Sequence, residues 1–358
     1  MKNLVYISIL VPSLNTEKYI YQCLNSLKNQ TLSNIEIICI DAGSTDGTLK
    51  IIENFIKNDG RFKLIKSPTK SYGFQLNLGL EAAQGEYIGI VEPDDFIDSN
   101  AFDFLYNIAS KNKAHVVKSQ WYNYFNNFQY KMNIVPKFIY GRSLNILDDI
   151  THPLLKGYLF DMPPSIWSGI YNTSFLRHYN IIFNTTSGAS FQDTSFIFKV
   201  FSCSKSTIFI EECFLHYRND NVSSSIHSSN KDFCICDEIN HLHDYVNKNY
   251  STNDELNKIL ARIIYTKYSW NLLRISPDNK QKFLDIFRDE LMLLNTNKYL
   301  EKKYFSKNEW NNVKAILYNK NVKNTFKLVN LLKSFIWSVK YGGIKYSLWK
   351  LDKKVKKY

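Results

Sequence analysis

At 358 residues the chain is long enough for about two domains of the usual ~150 residues, each with a real core. Hydrophobic residues make up 44% and charged residues 22%, which excludes a mainly disordered chain, a collagen and a disulfide-stapled miniprotein. The net charge of +12 sits wholly in residues 301–358, where 15 lysines face three acids; the other 300 residues hold 30 basic and 30 acidic side chains, which argues against a basic body built to grip nucleic acid.

The apolar run at residues 4–11 is followed by Pro12, Ser13 and Asn15 and not by a small-residue cleavage site. It reads as a buried strand, not a signal segment. Thr16 is then placed to cap a helix with Ile20, Cys23, Leu24 and Leu27 on one face. Residues 35–40 are a second strand, apolar except for Glu36. The following helix carries Leu49, Ile52 and Ile56. Residues 62–65 are a short strand, and a helix with Leu76, Leu80 and Ala83 is expected to close at Gly85 as a C-cap. Residues 87–91 are another strand. Strands that are apolar on both faces and alternate with helices imply a parallel sheet covered on both sides. Ligands bind such sheets beyond the carboxyl ends of the strands.

Three turns leave those ends: Pro12-Ser13-Leu14-Asn15, Asp41-Ala42-Gly43-Ser44-Thr45-Asp46-Gly47 and Glu92-Pro93-Asp94-Asp95. Three carboxylates in four residues repel one another and suit a hard divalent cation such as Mg²⁺ or Mn²⁺. The same acids, with Asp98, also suit the N-terminus of the helix through Phe102, Leu105 and Ile108. The 41–47 turn reads either as a nucleoside grip or as a plain strand-to-helix connection capped by Asp46 or Thr48.

Residues 120–190 are mixed and rich in aromatics, and the specificity loops are expected there, including Trp167, Tyr171 and Ser187-Gly188-Ala189-Ser190. The polar, serine-rich stretch 219–230 marks a boundary between units 1–222 and 223–358. Beyond it the pattern is helical, with no glycine until Gly342 and Gly343. Cys234-x-Cys236 with His241-x-His243 matches no common zinc spacing and reads as ordinary helix packing. Six scattered cysteines suggest a reducing cytoplasm. Residues 333–358 interleave aromatics with lysines, which suits either the inner face of an anionic membrane or a solvated basic end packed on the body.

In their order along the chain, these turns resemble the family-2 glycosyltransferases with the GT-A fold. Asn77-Leu78-Gly79 ahead of Gly85-Glu86-Tyr87-Ile88, Phe191-Gln192-Asp193-Thr194-Ser195-Phe196 and His216-Tyr217-Arg218 with Asn221 extend the likeness over about residues 4–225. The resemblance implies a Rossmann-like, mostly parallel α/β sheet flanked by helices, followed by a helical C-terminal region. It implies transfer, usually inverting, from a nucleotide-diphosphate sugar, UDP-linked by family habit, to a hydroxyl of a glycan or lipid-linked glycan in surface-polysaccharide synthesis. Asp193 would be the catalytic base, although by position it also suits a helix cap. Asp94 and Asp95 would hold Mn²⁺ or Mg²⁺, with His216 either a late ligand or a structural residue. Pro12, Leu14, Asn15, Glu17, Asp41, Gly43, Ser44, Asp46, Gly73, Asn77, Glu92 and Arg218 would surround the nucleotide sugar. The chain departs from the common pattern at Leu14, where many relatives have tyrosine, at Ala42 and Gln192, where many have an acid, and at Glu92, where many have aspartate. The competing reading is a GT-A module that binds nucleotide sugar or polymer without turnover.

Overall fold

The computed structural model describes residues 4–126, 128–133, 135–148, 158–221 and 231–318. The expected boundary near 222 and the basic tail at 333–358, with its membrane contact, lie outside the described residues.

The first half alternates as the periodicity implies: β1 Ile7–Ser13, α1 Glu17–Lys28, β2 Ile35–Asp41, α2 Thr48–Asn58, β3 Phe62–Lys66, α3 Tyr72–Ala82 and β4 Tyr87–Ile90. Every residue of β1 and β2 is buried, as covering helices on both faces require. Their polar exceptions meet: Ser8 stands opposite Glu36 in the register and donates to its carboxylate. The backbone N–H of Gln84 and the Lys63 ammonium also donate to Glu36, and against the cost of burial these bonds hold it below the ordinary carboxylate range. Gly85 is not the C-cap of α3, which ends three residues earlier; its N–H donates to Ser8 Oγ at 2.8 Å, tying the loop to β1.

The chain continues through β5 Phe96–Ile97, α4 Ala101–Asn112, β6 Val116–Phe125, β7 Phe128–Met132, β8 Ser143–Leu144, α5 Tyr158–Asp161, β9 Gly169–Asn172, α6 Thr173–His178, α7 Gln192–Cys203 and β10 Thr207–Arg218. One sheet takes the order β3-β2-β1-β4-β9-β6-β10-β5, with β7 on β6 and β8 on β10. The pairs β1–β2, β2–β3, β1–β4 and β6–β10 are parallel. Strand β9 runs antiparallel between β4 and β6, so those two point the same way. The carboxyl ends of β1, β2, β3, β4, β6 and β10 therefore share one edge, where their loops converge.

Four more helices follow: α8 Cys234–Tyr250, α9 Asp254–Leu272, α10 Lys280–Thr296 and α11 Lys307–Leu317. Helix α8 buries Ile235, Ile239, Leu242 and Val246 at helical spacing, and α9 buries Leu256, Ile259, Leu260 and Ile263. Helix α8 packs on α7 and α9 on α5. Arg262 on α9 reinforces that joint, pairing with Asp161 at 2.9 Å and Glu309 at 3.2 Å. No helix among the described residues is long and apolar enough to cross a membrane.

Candidate active site

A cleft of about 710 Å³ opens at the carboxyl edge. Pro12, Ser13, Leu14 and Asn15 at the end of β1 form one part, and Glu92, Pro93 and Asp94 after β4 form another. Residues 188–193 lead into α7 and bring Asp193 to the same space. Trp167 and Tyr217 stack there, with ring centroids 5.0 Å apart. Lys231, Trp270 and Arg274, from the helical region, complete the lining. The structure thus brings together Pro12, Leu14, Asn15, Glu92, Asp94 and Asp193 from segments far apart in sequence.

Asp193 lies in the first turn of α7, two residues after Phe191, whose left-handed backbone (φ 64°) turns the chain into the helix. Its carboxyl meets the Thr194 hydroxyl at 3.4 Å and the backbone N–H groups of Asp193 and Thr194, all within the first turn. Burial raises its pKa, offset in part by the Lys267 charge and by Thr194. Gln192 explains one departure from the common pattern. Its amide donates to the Thr186 hydroxyl and to the Thr186 and Gly188 carbonyls, and its oxygen accepts from the Ser190 N–H. A glutamate has no N–H for those acceptors, so the amide laces the loop in front of Asp193.

The acidic turn crowds three carboxyls together, with Asp95 buried behind the cleft. Burial pushes Glu92 up to about 8; the hydrogen bond from Tyr72 opposes this, and the charges of Asp94 and Asp193 add to it. Asp95 is almost fully buried and is pushed well above the ordinary carboxylate range by that burial and by Asp94. Its Oδ1 accepts the Arg218 N–H at 2.7 Å, while Oδ2 is buried with no partner. Asp94 accepts from the Asn221 amide at 2.8 Å. An orphaned carboxylate oxygen beside a second carboxylate at the cleft surface fits a divalent cation. No group of three or more His, Cys, Asp or Glu able to hold a metal occurs among the described residues. Mg²⁺ typically takes one or two protein carboxylates and the rest from water or substrate phosphate, so Asp94 and Asp95 would be its protein ligands.

Other expected residues are placed differently. Asp41 is spent on its own loop: it accepts from Gly43 N and Ser44 N at 2.9 Å each, and from the Ser44 hydroxyl. Gly43 supplies the turn with φ 84°, and Ser44 Oγ accepts Asn15 N at 2.9 Å. Asp46 accepts Thr48 N and Glu17 N, and Glu17 accepts Gly47 N, so both secure helix starts. Gly73 and Asn77 hold α3 against the 183–184 segment, Asn77 bonding the Phe183 backbone in both directions at 2.9 Å. Arg218 is a clamp, not a phosphate hand: it donates to the Asp94 carbonyl at 2.8 Å and to Gln22 at 2.6 Å, and lies over the Tyr19 and Tyr124 rings. His216 is not positioned as a late metal ligand, because its ring nitrogens meet Asp98 at 2.9 Å and Gln129 at 2.7 Å and the ring stacks on Phe96. Tyr171 is core, not a specificity loop; its hydroxyl donates to the Ile166 carbonyl at 2.8 Å.

Sequence reasoning missed Tyr72, which holds Glu92, and Gln75, whose amide donates to the Ser13 and Ile40 carbonyls where β1 and β2 end. It also missed Lys231, Trp270 and Arg274. A lysine beside a serine-rich stretch and a tryptophan on a helix have no local mark of a cleft.

Residues 8–162 match the model of "Glycosyl transferase family 2". The chain is 40% identical over 119 residues to glycosyltransferase GlyG of Streptococcus pneumoniae, covering 33% of this chain and 40% of that protein. It is 29% identical over 178 residues to the uncharacterized glycosyltransferase EpsJ of Bacillus subtilis, covering 50% of this chain and 51% of that one. The chain therefore spans about half the length or less of these relatives. In fold it is similar to the crystal structure of S. aureus TarS 1–349 in complex with UDP-GlcNAc, with a TM-score of 0.70, 17% identity and 90% of each chain covered.

Proposed function

We propose, from the match of residues 8–162 to the glycosyltransferase family 2 model and from the cleft, that this chain moves a sugar from a nucleotide-diphosphate donor to a glycan or lipid-linked glycan hydroxyl with inversion. The observation that supports this most is the shared cleft of Asp94 and Asp193. The UDP-GlcNAc held by TarS favours a UDP-linked donor.

Asp193 accepts the proton of the acceptor hydroxyl as that oxygen bonds the anomeric carbon, and the bond to the diphosphate breaks on the opposite face with its electron pair leaving on the phosphate oxygen. One base suffices, since a direct displacement inverts the centre without a covalent intermediate. A carboxylate raised by burial is a better base near neutral pH than a free one. Glu92, held by the Tyr72 hydroxyl, lines the cleft beside Asp94 and faces the donor as a hydrogen-bonding group. Asp94 and Asp95 would hold Mn²⁺ or Mg²⁺, which when bound supplies a Lewis acid for the charge on the departing diphosphate. Residues 1–222 form the transferase unit in this reading, and 223–358 complete its cleft and carry the basic tail to a membrane surface.

A panel of nucleotide sugars with Mn²⁺ or Mg²⁺, read by thermal shift and by release of free nucleotide, tests the proposal. One donor should raise the melting temperature in a metal-dependent way and be consumed. A panel in which none binds or turns over sinks it; binding without turnover leaves a binding module.

A further inference from the structure

We propose that the Tyr217 hydroxyl donates a hydrogen bond to the β-phosphate of the sugar donor, holding the diphosphate before transfer and stabilising it as it departs. The inference rests on the transferase reading above and deepens it by adding a residue that touches the leaving group.

Tyr217 is the last residue but one of β10 and lines the cleft. The residues on both sides of it are fastened to the acidic turn. The Arg218 N–H donates to Asp95 at 2.7 Å and its side chain to the Asp94 carbonyl at 2.8 Å, while His216 meets Asp98 at 2.9 Å. Burial, and then the carboxyls of Asp95, Asp94, Glu92 and Asp193 in that order, push the Tyr217 phenol above its ordinary range. Asp94 and Asp95 act on it more strongly than Asp193 does, which puts it on the diphosphate side of the cleft. A phenol is an O–H donor at neutral pH even without such a push. Among the described residues its hydroxyl has no hydrogen-bond partner. The cleft thus offers a neutral donor where carboxyls otherwise face the ligand. A diphosphate beside Glu92 and Asp94 needs such a group as well as a cation, because carboxylates repel it.

The ring that carries this hydroxyl is held from behind. It stacks on Trp167 with centroids 5.0 Å apart and planes 13° apart, and Trp167 in turn meets Trp121 edge-on at 4.9 Å. The turn that brings Trp167 to the cleft has Ser165 in a left-handed conformation, φ 28°, and is tied down from the core. Lys118 on β6 is almost fully buried, and burial pushes it down to about 7. Its side-chain nitrogen donates to the Ser165 carbonyl, which also accepts from the Ser168 hydroxyl at 2.9 Å. The Tyr171 hydroxyl donates to the Ile166 carbonyl at 2.8 Å, and the Ser119 N–H to the Ser168 carbonyl at 2.7 Å. A buried lysine and a buried tyrosine, neither of which lines the cleft, therefore fix the indole against which Tyr217 rests. A donor already fixed in place loses little freedom when its ligand arrives, and stabilises charge on that ligand without reorganising.

The test is titration calorimetry of UDP and of UMP into the full chain with Mn²⁺ present, for wild type and Tyr217→Phe. The substitution keeps the ring and its stack and removes only the hydroxyl. UMP ends at the α-phosphate, so it reports every contact but the proposed one and controls for the fold. UDP should bind about tenfold more weakly to the variant, with UMP unchanged to within about twofold. Single-turnover transfer from the preferred UDP-sugar at saturating donor should slow by about 10²-fold, because charge on the departing phosphate grows in the transition state. Equal weakening of UDP and UMP overturns the inference, since it places the hydroxyl away from the β-phosphate. Weaker UDP binding with an unchanged transfer rate overturns the role in departure. Wild type that binds neither nucleotide overturns the inference together with the UDP-linked reading. Wild type and variant that bind UDP equally and transfer at equal rates remove this inference alone and leave the transferase reading standing.

Discussion

Gly73 lies where the first turn of α3 passes the backbone of Asn184, and a Cβ built on it would sit 1.8 Å from that carbonyl oxygen. Backbone cannot swing aside as a side chain can, so Gly73→Ala must push α3 away from the segment that leads towards Asp193. We expect a loss of about 1–3 kcal/mol in stability, measured by urea unfolding; an unchanged midpoint contradicts the contact. At this scale the acids were legible, because carboxylates clustered after apolar strands need a reason to be there. Their individual roles were not. Asp41 serves its own turn by accepting two backbone N–H groups two and three residues on, and a nucleoside grip has the same sequence. Arg218 reads as an oxyanion hand, yet its fork is used on the Asp94 carbonyl and Gln22. Only the folded neighbours separate the two.

Between elements, the joint of α7 and α8 turns on Glu238, which is fully buried. One of its oxygens accepts from Asn184 at 2.7 Å, and the other has no partner. Asn184 also donates to Ser195 on α7 at 3.0 Å, two residues beyond Asp193. Burial raises Glu238 to about 7; the bonds from Ser195 and Asn184 oppose this, the Asp193 charge adds to it and Lys199 offsets it. A carboxyl whose folded pKa lies above its unfolded value stabilises the fold fully at low pH and loses that contribution as pH rises through the folded value. From about 4.5 to about 7 this amounts to roughly 3 kcal/mol. Glu238→Gln keeps an acceptor for Asn184 and removes the ionisation, so the difference between wild-type and variant unfolding free energies should shrink at low pH and widen towards pH 7 in the variant's favour. Parallel pH profiles contradict the assignment. The regular alternation of β1 to β4 with α1 to α3 was legible because local period and burial coincide. The 120–190 region was not, since β9 has only four residues and its partners lie 51 to 85 positions away, so no local pattern announces its antiparallel place between β4 and β6.

Across the whole molecule, the proposal divides two tasks between the neutral body and the basic end. The body holds the cleft, and the helices after 231 wall it through Lys231, Trp270 and Arg274 while packing on α5 and α7. Composition alone gives no hint of that lining, because a serine-rich stretch marks a change of pattern and says nothing of contact across it. The lysines and aromatics of 333–358 predict binding to anionic vesicles that falls with salt, at about 1 kcal/mol per well-placed lysine. Co-sedimentation with phosphatidylglycerol vesicles should be lost when 333–358 are deleted; retention at the same level contradicts the membrane reading.

The central proposal is that Asp193 is the base that faces the acceptor while Asp94 and Asp95 hold the cation for the diphosphate. The direct measurement is single-turnover transfer from the preferred nucleotide sugar by wild type and Asp193→Asn at matched donor occupancy. A drop of about 10²–10⁴-fold, with donor affinity kept within a few-fold, is the predicted result; transfer within threefold of wild type contradicts the account.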